Sequence, residues 1–93
     1  MSDIIRATRE VAVTNEEGIH ARAATLIAEL VRRFDSKVEV IKDDERVEST
    51  DVLQVLSLGA AHGSKLSLEA VGGDAEEVLD ALAKLISDNF SEN

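Results

Sequence analysis

Asp51-Val52-Leu53-Gln54-Val55-Leu56-Ser57-Leu58-Gly59 is the stretch on which the fold turns. Periodicity alone does not assign its short apolar run over 52–58 to a strand or a helix. The ends decide. Asp51 before the run and Gln54 three residues later have the spacing of a capping box, in which side chains take up the free donors of a helix start. Gly59 supplies the stop. A helix ending near Gly59 is therefore predicted.

Downstream, Leu66, Leu68 and Ala70 alternate with Ser67 and Glu69, which reads as a strand. Asp74 and Glu77 repeat the capping-box spacing. They open a last helix whose apolar stripe is Val78, Leu79, Leu82, Leu85 and Ile86, with Phe90 one turn on. Upstream, Lys37–Lys42 alternates as a strand, Asp43-Asp44-Glu45 turns the chain, and Arg46-Val47-Glu48 reads as a short strand. From 21 to 34, Ala23, Ala24, Ile27, Leu30, Val31 and Phe34 fall at helical spacing. Residues 9–14 place Val11 and Val13 on one side of a strand, and Asn15-Glu16-Glu17-Gly18 reads as a turn. The order β-α-β-β-α-β-α predicts an α+β open-faced sandwich: a four-stranded antiparallel sheet covered on one face by three helices. Length predicts a single domain over 1–93.

Composition removes whole classes of function. Nineteen Asp+Glu against ten Lys+Arg give a net charge of −9, which opposes nucleic-acid binding. Two Phe are the only aromatics, so base stacking is also opposed. Absence of Cys removes disulfides, thiolate nucleophiles and zinc–thiolate sites, and fits a reducing compartment. The apolar runs are too short for direct membrane insertion. A soluble, cytoplasmic, monomeric protein without cofactor or metal is expected.

The charge is uneven. Residues 20–38 carry Arg22, Arg32, Arg33 and Lys37 against Glu29 and Asp35, the only segment with a positive balance. It begins where the first helix begins. Gly18-Ile19-His20-Ala21-Arg22-Ala23-Ala24 offers no Ser, Thr, Asp or Asn at the cap, so unpaired amides and the positive end of the helix dipole are expected to face outward. That is an anion site, with the backbone of Ala21, Arg22 and Ala23 as its donors. Histidine, with an ordinary pKa of roughly 6.5, keeps much of its imidazole neutral near pH 7. A neutral ring nitrogen can attack phosphorus. Arg22 adds a planar donor fork, and Gly18 permits a tight entry. Carboxylates are expected to keep away from such a site. His62, past the second helix, is read as a loop residue.

Asn15-x-x-Gly18-Ile19-His20-Ala21-Arg22 resembles the active-site signature of HPr, the histidine-containing phosphocarrier family of the bacterial phosphotransferase system. The resemblance continues in Phe34-x-Ser36, in Val55-Leu56-Ser57-Leu58-Gly59-Ala60, and at Gly63 and Gly72. It implies that His20 is phosphorylated by enzyme I at the expense of phosphoenolpyruvate. The phosphoryl group then passes to the A domain of a sugar permease or regulatory protein. Arg22 matches the residue that contacts the phosphohistidine, and Val52, Leu53 and Leu56 match an apolar patch that docks both partners. Such a protein is a stoichiometric carrier, not an enzyme.

Three positions depart from the family pattern. Ala23 stands where Pro is usual, which frees an amide in the first turn. Asp51 occupies the position of a regulatory serine and cannot be phosphorylated, which raises the question of Ser49 or Thr50 as substitutes. Asp43-Asp44-Glu45 replaces a glycine turn. The missing proline and the fixed charge at Asp51 also fit a rival reading, a non-carrier regulatory module that binds a protein through the second-helix patch.

Overall fold

A computed structural model describes residues 5–91. Along the chain run β1 (Arg6–Ala12), α1 (Ala21–Val31), β2 (Lys37–Lys42), β3 (Glu45–Glu48), α2 (Val52–Ser57), β4 (Lys65–Val71) and α3 (Ala75–Ser87), followed by a short left-handed turn at Asn89–Ser91. The sheet order is β1-β4-β2-β3, antiparallel throughout. This is the predicted open-faced sandwich.

Register explains why only one face is covered. Ala7 lies opposite Ala70, Val11 opposite Leu66, Val38 opposite Ala70, and Val40 between Leu68 and Val47. These residues form the inner face, and most are buried. Against them pack Ala23, Ala24, Ile27, Ala28 and Val31 of α1 and Val78, Leu79, Leu82 and Ile86 of α3. The 3.6-residue period of the helices meets the two-residue period of the strands in one core. The outer face is charged. Glu39 sits opposite both Glu69 and Glu48, an arrangement that would repel. Arg46 relieves it by reaching Glu39 at 2.6 Å and Glu69 at 3.0 Å, and Arg6 reaches Glu69 at 3.1 Å. Hydrogen bonds to Glu39 and then Glu69 raise the pKa of Arg46 further above its ordinary value.

Several boundaries move. β1 covers 6–12 rather than 9–14, because its partner β4 extends to Val71 and pairs with Arg6. Val13 still enters the core, just past the strand. α1 stops at Val31 instead of continuing to 34. The amides of Arg33 and Phe34 bond to the carbonyls of Leu30 and Val31, a tighter i→i−3 turn that leaves Phe34 half-buried beyond the helix.

The second predicted capping box does not form. Asp74 is the N-cap of α3 by position but makes no cap hydrogen bond to it. Its carboxylate instead accepts from the amides of Asp35 at 2.8 Å and Ser36 at 2.9 Å and from the Ser36 hydroxyl. Three donors from the α1–β2 turn outcompete the helix's own amides, and α3 is tied to that turn. By contrast Asp51 caps α2 as expected, accepting from the Gln54 amide at 3.1 Å.

Candidate functional site

The site is built on the loop between β1 and α1. After β1, the Val13 amide bonds to the Ser64 carbonyl at 2.9 Å, and the Gly63 amide bonds back to the Val13 carbonyl at 2.8 Å. Buried Asn15 donates through its side chain to the Gly18 carbonyl at 2.7 Å. Gly18 adopts φ +67°, and an added Cβ would collide with the carbonyl of Ala60. The Ile19 amide bonds to that same carbonyl at 2.9 Å. The loop ahead of His20 is thus clamped against the segment that follows α2.

His20 is where the structure corrects the expectation. The first helix is not uncapped: His20 is its N-cap, with extended backbone, and its ring Nδ1 accepts from the Ala23 amide at 3.3 Å. The Ala24 amide bonds to the His20 carbonyl at 2.9 Å, closing the first helical turn. Imidazole can cap because its acceptor nitrogen reaches the third helical residue much as a Ser or Asp oxygen does. Of the three amides expected to hold an anion, that of Ala23 is therefore turned to the ring. Those of Ala21 and Arg22 are the other donors ahead of the first i→i−4 bond. An Nδ1 that accepts carries a lone pair, so the neutral ring bears its proton on Nε2. The histidine side chain is 25 % exposed, open to an approaching group.

A carboxylate does approach the site, contrary to the sequence expectation. Glu17 Oε1 lies 3.6 Å from Nε2 of His20. It is tolerated because it faces the ring nitrogen remote from the helix terminus. Nothing in the spacing singles out Glu17, since outside a helix a three-residue separation does not decide which side chains meet. Arg22 is exposed on the first turn of α1.

On α2, Val55 and the following Leu58 are buried. Leu53 is 78 % exposed. Val52 and Leu56 are half-buried and lean on the core, so the patch is one exposed leucine flanked by two partly covered side chains. Ser49 is fully buried, which removes its hydroxyl from reach of a modifying enzyme in the folded chain. Thr50 is half-buried, and its carbonyl accepts from Arg32 at 3.2 Å. His62 is exposed in the turn after α2. Among the described residues there is no cluster able to hold a metal ion, and no helix is long and apolar enough to cross a membrane.

A four-stranded antiparallel sheet with three helices on one face, and a histidine capping the first helix, define an HPr-like open-faced sandwich. The family model described as the PTS HPr component phosphorylation site matches residues 7–88. Phosphocarrier protein HPr of Treponema pallidum is 37% identical over 84 residues, covering 90% of this chain and 96% of the relative. Phosphocarrier protein NPr of Escherichia coli K12 is 36% identical over 85 residues, covering 89% and 93%. The crystal structure of HPr from Thermoanaerobacter tengcongensis superposes with a TM-score of 0.89 at 33% identity, covering 94% of this chain and 98% of that one. The chain belongs to the HPr family of phosphocarrier proteins of the phosphotransferase system. These relatives are phosphocarrier proteins by name, which disfavours the non-carrier reading.

Proposed function

We propose that this protein accepts a phosphoryl group on His20 Nδ1 from phosphoenolpyruvate through enzyme I. It then delivers the group to the A domain of a sugar permease or regulatory protein. The observation that carries the proposal is the position of Nδ1 at the N-terminus of α1, 3.3 Å from the Ala23 amide. The Nδ1 lone pair forms the bond to phosphorus while the donor's bond to phosphorus breaks and its electrons leave with the donor. The Ala23 amide, released from the ring nitrogen, then turns to a phosphoryl oxygen beside the amides of Ala21 and Arg22. The helix dipole and the Arg22 guanidinium offset the added charge. Transfer onward reverses these bonds. The partners supply most of the catalysis, and this chain supplies position and electrostatics.

Val52, Leu53 and Leu56 are the proposed docking patch for both partners, with Leu53 as its exposed centre. Asp51 serves as a helix cap. The protein acts as a cytoplasmic, monomeric, single-domain carrier over 1–93 that needs no cofactor. The acidic balance supports docking to basic partner surfaces, weakening as salt rises. Incubation with enzyme I and phosphoenolpyruvate should add one acid-labile phosphoryl group to the chain and none to His20→Ala. Equal labelling of that variant would refute the assignment.

A further inference from the structure

The His20 ring has two ends, and phosphoryl transfer uses only one. At the other end lies Nε2, which bears the proton of a neutral ring whose Nδ1 accepts, 3.6 Å from Glu17 Oε1. We infer that Glu17 is a positioning residue for phosphoryl transfer, holding the ring proton on Nε2 so that the Nδ1 lone pair stays available. The inference rests on His20 being the phosphoryl acceptor and names the residue that keeps it competent.

Three consequences follow from the geometry. In the resting chain a carboxylate beside Nε2–H favours the tautomer with a bare Nδ1, the same tautomer that the Ala23 amide favours from the opposite end. During attack the Nδ1–phosphorus bond forms, the donor's bond breaks, and the ring becomes cationic with its proton still on Nε2. Glu17 stabilises that positive charge as it develops. During delivery the Nδ1–phosphorus bond breaks, its electron pair returns to Nδ1, and a neutral ring departs. No proton enters or leaves through the whole cycle. Loss of the Nε2 proton would make the departing group an imidazolate, a far poorer leaving group. Glu17 can do this without opposing the phosphoryl group because it stands at the far side of the ring from Nδ1.

The Glu17 side chain is 74% exposed, so the effect is that of a surface ion pair. The population ratio of Nε2–H to Nδ1–H tautomers, and the transfer rate, should each fall by about twofold to fivefold in Glu17→Gln. Glu17→Lys should lower both further.

The test uses the full chain. Nitrogen-15 NMR of the His20 ring at about pH 8.5, above the ordinary imidazole range, reads the tautomer ratio without any partner. Rapid-quench phosphorylation by enzyme I and phosphoenolpyruvate reads transfer. The same pair of measurements in an Ala23→Pro background removes the amide that favours the same tautomer, and there the Glu17→Gln effect on the ratio should persist at a similar fold-change. An unchanged tautomer ratio in both backgrounds, or Glu17→Gln transfer as fast as in the matching chain that keeps Glu17, overturns the role. A wild-type chain that takes up no phosphoryl group overturns the carrier reading and this role with it. That failure is told apart from the first because the tautomer ratio still responds to Glu17.

Discussion

The amide of Ile19 donates to the carbonyl of Ala60 across 2.9 Å, joining the residue before the site histidine to the segment that follows α2. Gly18, one residue earlier, lies so close to the same carbonyl that it has no room for a side chain. The loop carrying the histidine and the end of the α2 segment therefore behave as one unit, although 41 positions separate Ile19 from Ala60 in the sequence.

Gly18→Ala should strike that unit. Its φ of +67° already disfavours a side chain, and the collision is with backbone, which yields little. A loss of about 1–3 kcal/mol in urea unfolding is expected, together with slower phosphorylation. Gly59→Ala is the control: its φ of +63° carries the same conformational cost, but a Cβ there meets open space. Gly59→Ala should be the milder change, and equal losses would show that the contact with Ala60 is unimportant.

Ala23→Pro should separate cap from chemistry. Proline lacks the amide that now occupies His20 Nδ1, and it restricts the unfolded chain by about 0.4–1 kcal/mol. The lost cap bond is of similar size, about 1 kcal/mol. Little net change in unfolding free energy is expected. Phosphorylation should accelerate by up to about fivefold, because Nδ1 no longer has to shed a donor before attack. Slower labelling in rapid-quench assays would instead mean that the Ala23 amide matters more on the phosphoryl oxygens than on the ring.

Leu53→Ala and Val55→Ala should divide binding from folding. Leu53 is 78% exposed, and its truncation should alter stability by less than about 0.5 kcal/mol while weakening partner binding measured by calorimetry. Val55 is fully buried, and its truncation should cost about 1.5–3 kcal/mol of stability. Undiminished binding by Leu53→Ala would remove the patch from the docking surface.

Asp74 should make stability depend on acidity. The hydrogen bond from the Ser36 hydroxyl, then that from the Asp35 amide, holds its carboxyl below the ordinary carboxylate range. A carboxyl whose folded-state pKa is depressed stabilises the fold above its unfolded value of about 3.9. That contribution fades as pH falls through the unfolded and then the folded value. Asp74→Asn should lower the melting temperature near neutrality, and the gap to the unaltered chain should close below about pH 4. A gap independent of pH would show that the charge is unimportant to the junction.

The element order, the helical stripes, the cap at Asp51 and the placement of His20 at a helix start were all legible in the sequence. Each depends on relations between residues two to four apart, and backbone geometry imposes those relations directly. Tertiary packing decided the rest. Asp74 has a capping residue's position but binds Ser36, 38 residues away, because the fold brings three donors to it. The loop that carries the histidine is seated by the Ile19 amide on the distant Ala60 carbonyl, and Glu17 lies 3.6 Å from Nε2. Leu56 and Leu53 lie in the same apolar run, yet Leu56 leans on the core while Leu53 is exposed, since the core leaves room for the one and not the other. Local pattern set where the histidine stands; contacts between distant segments set which ring nitrogen is offered and what holds the other.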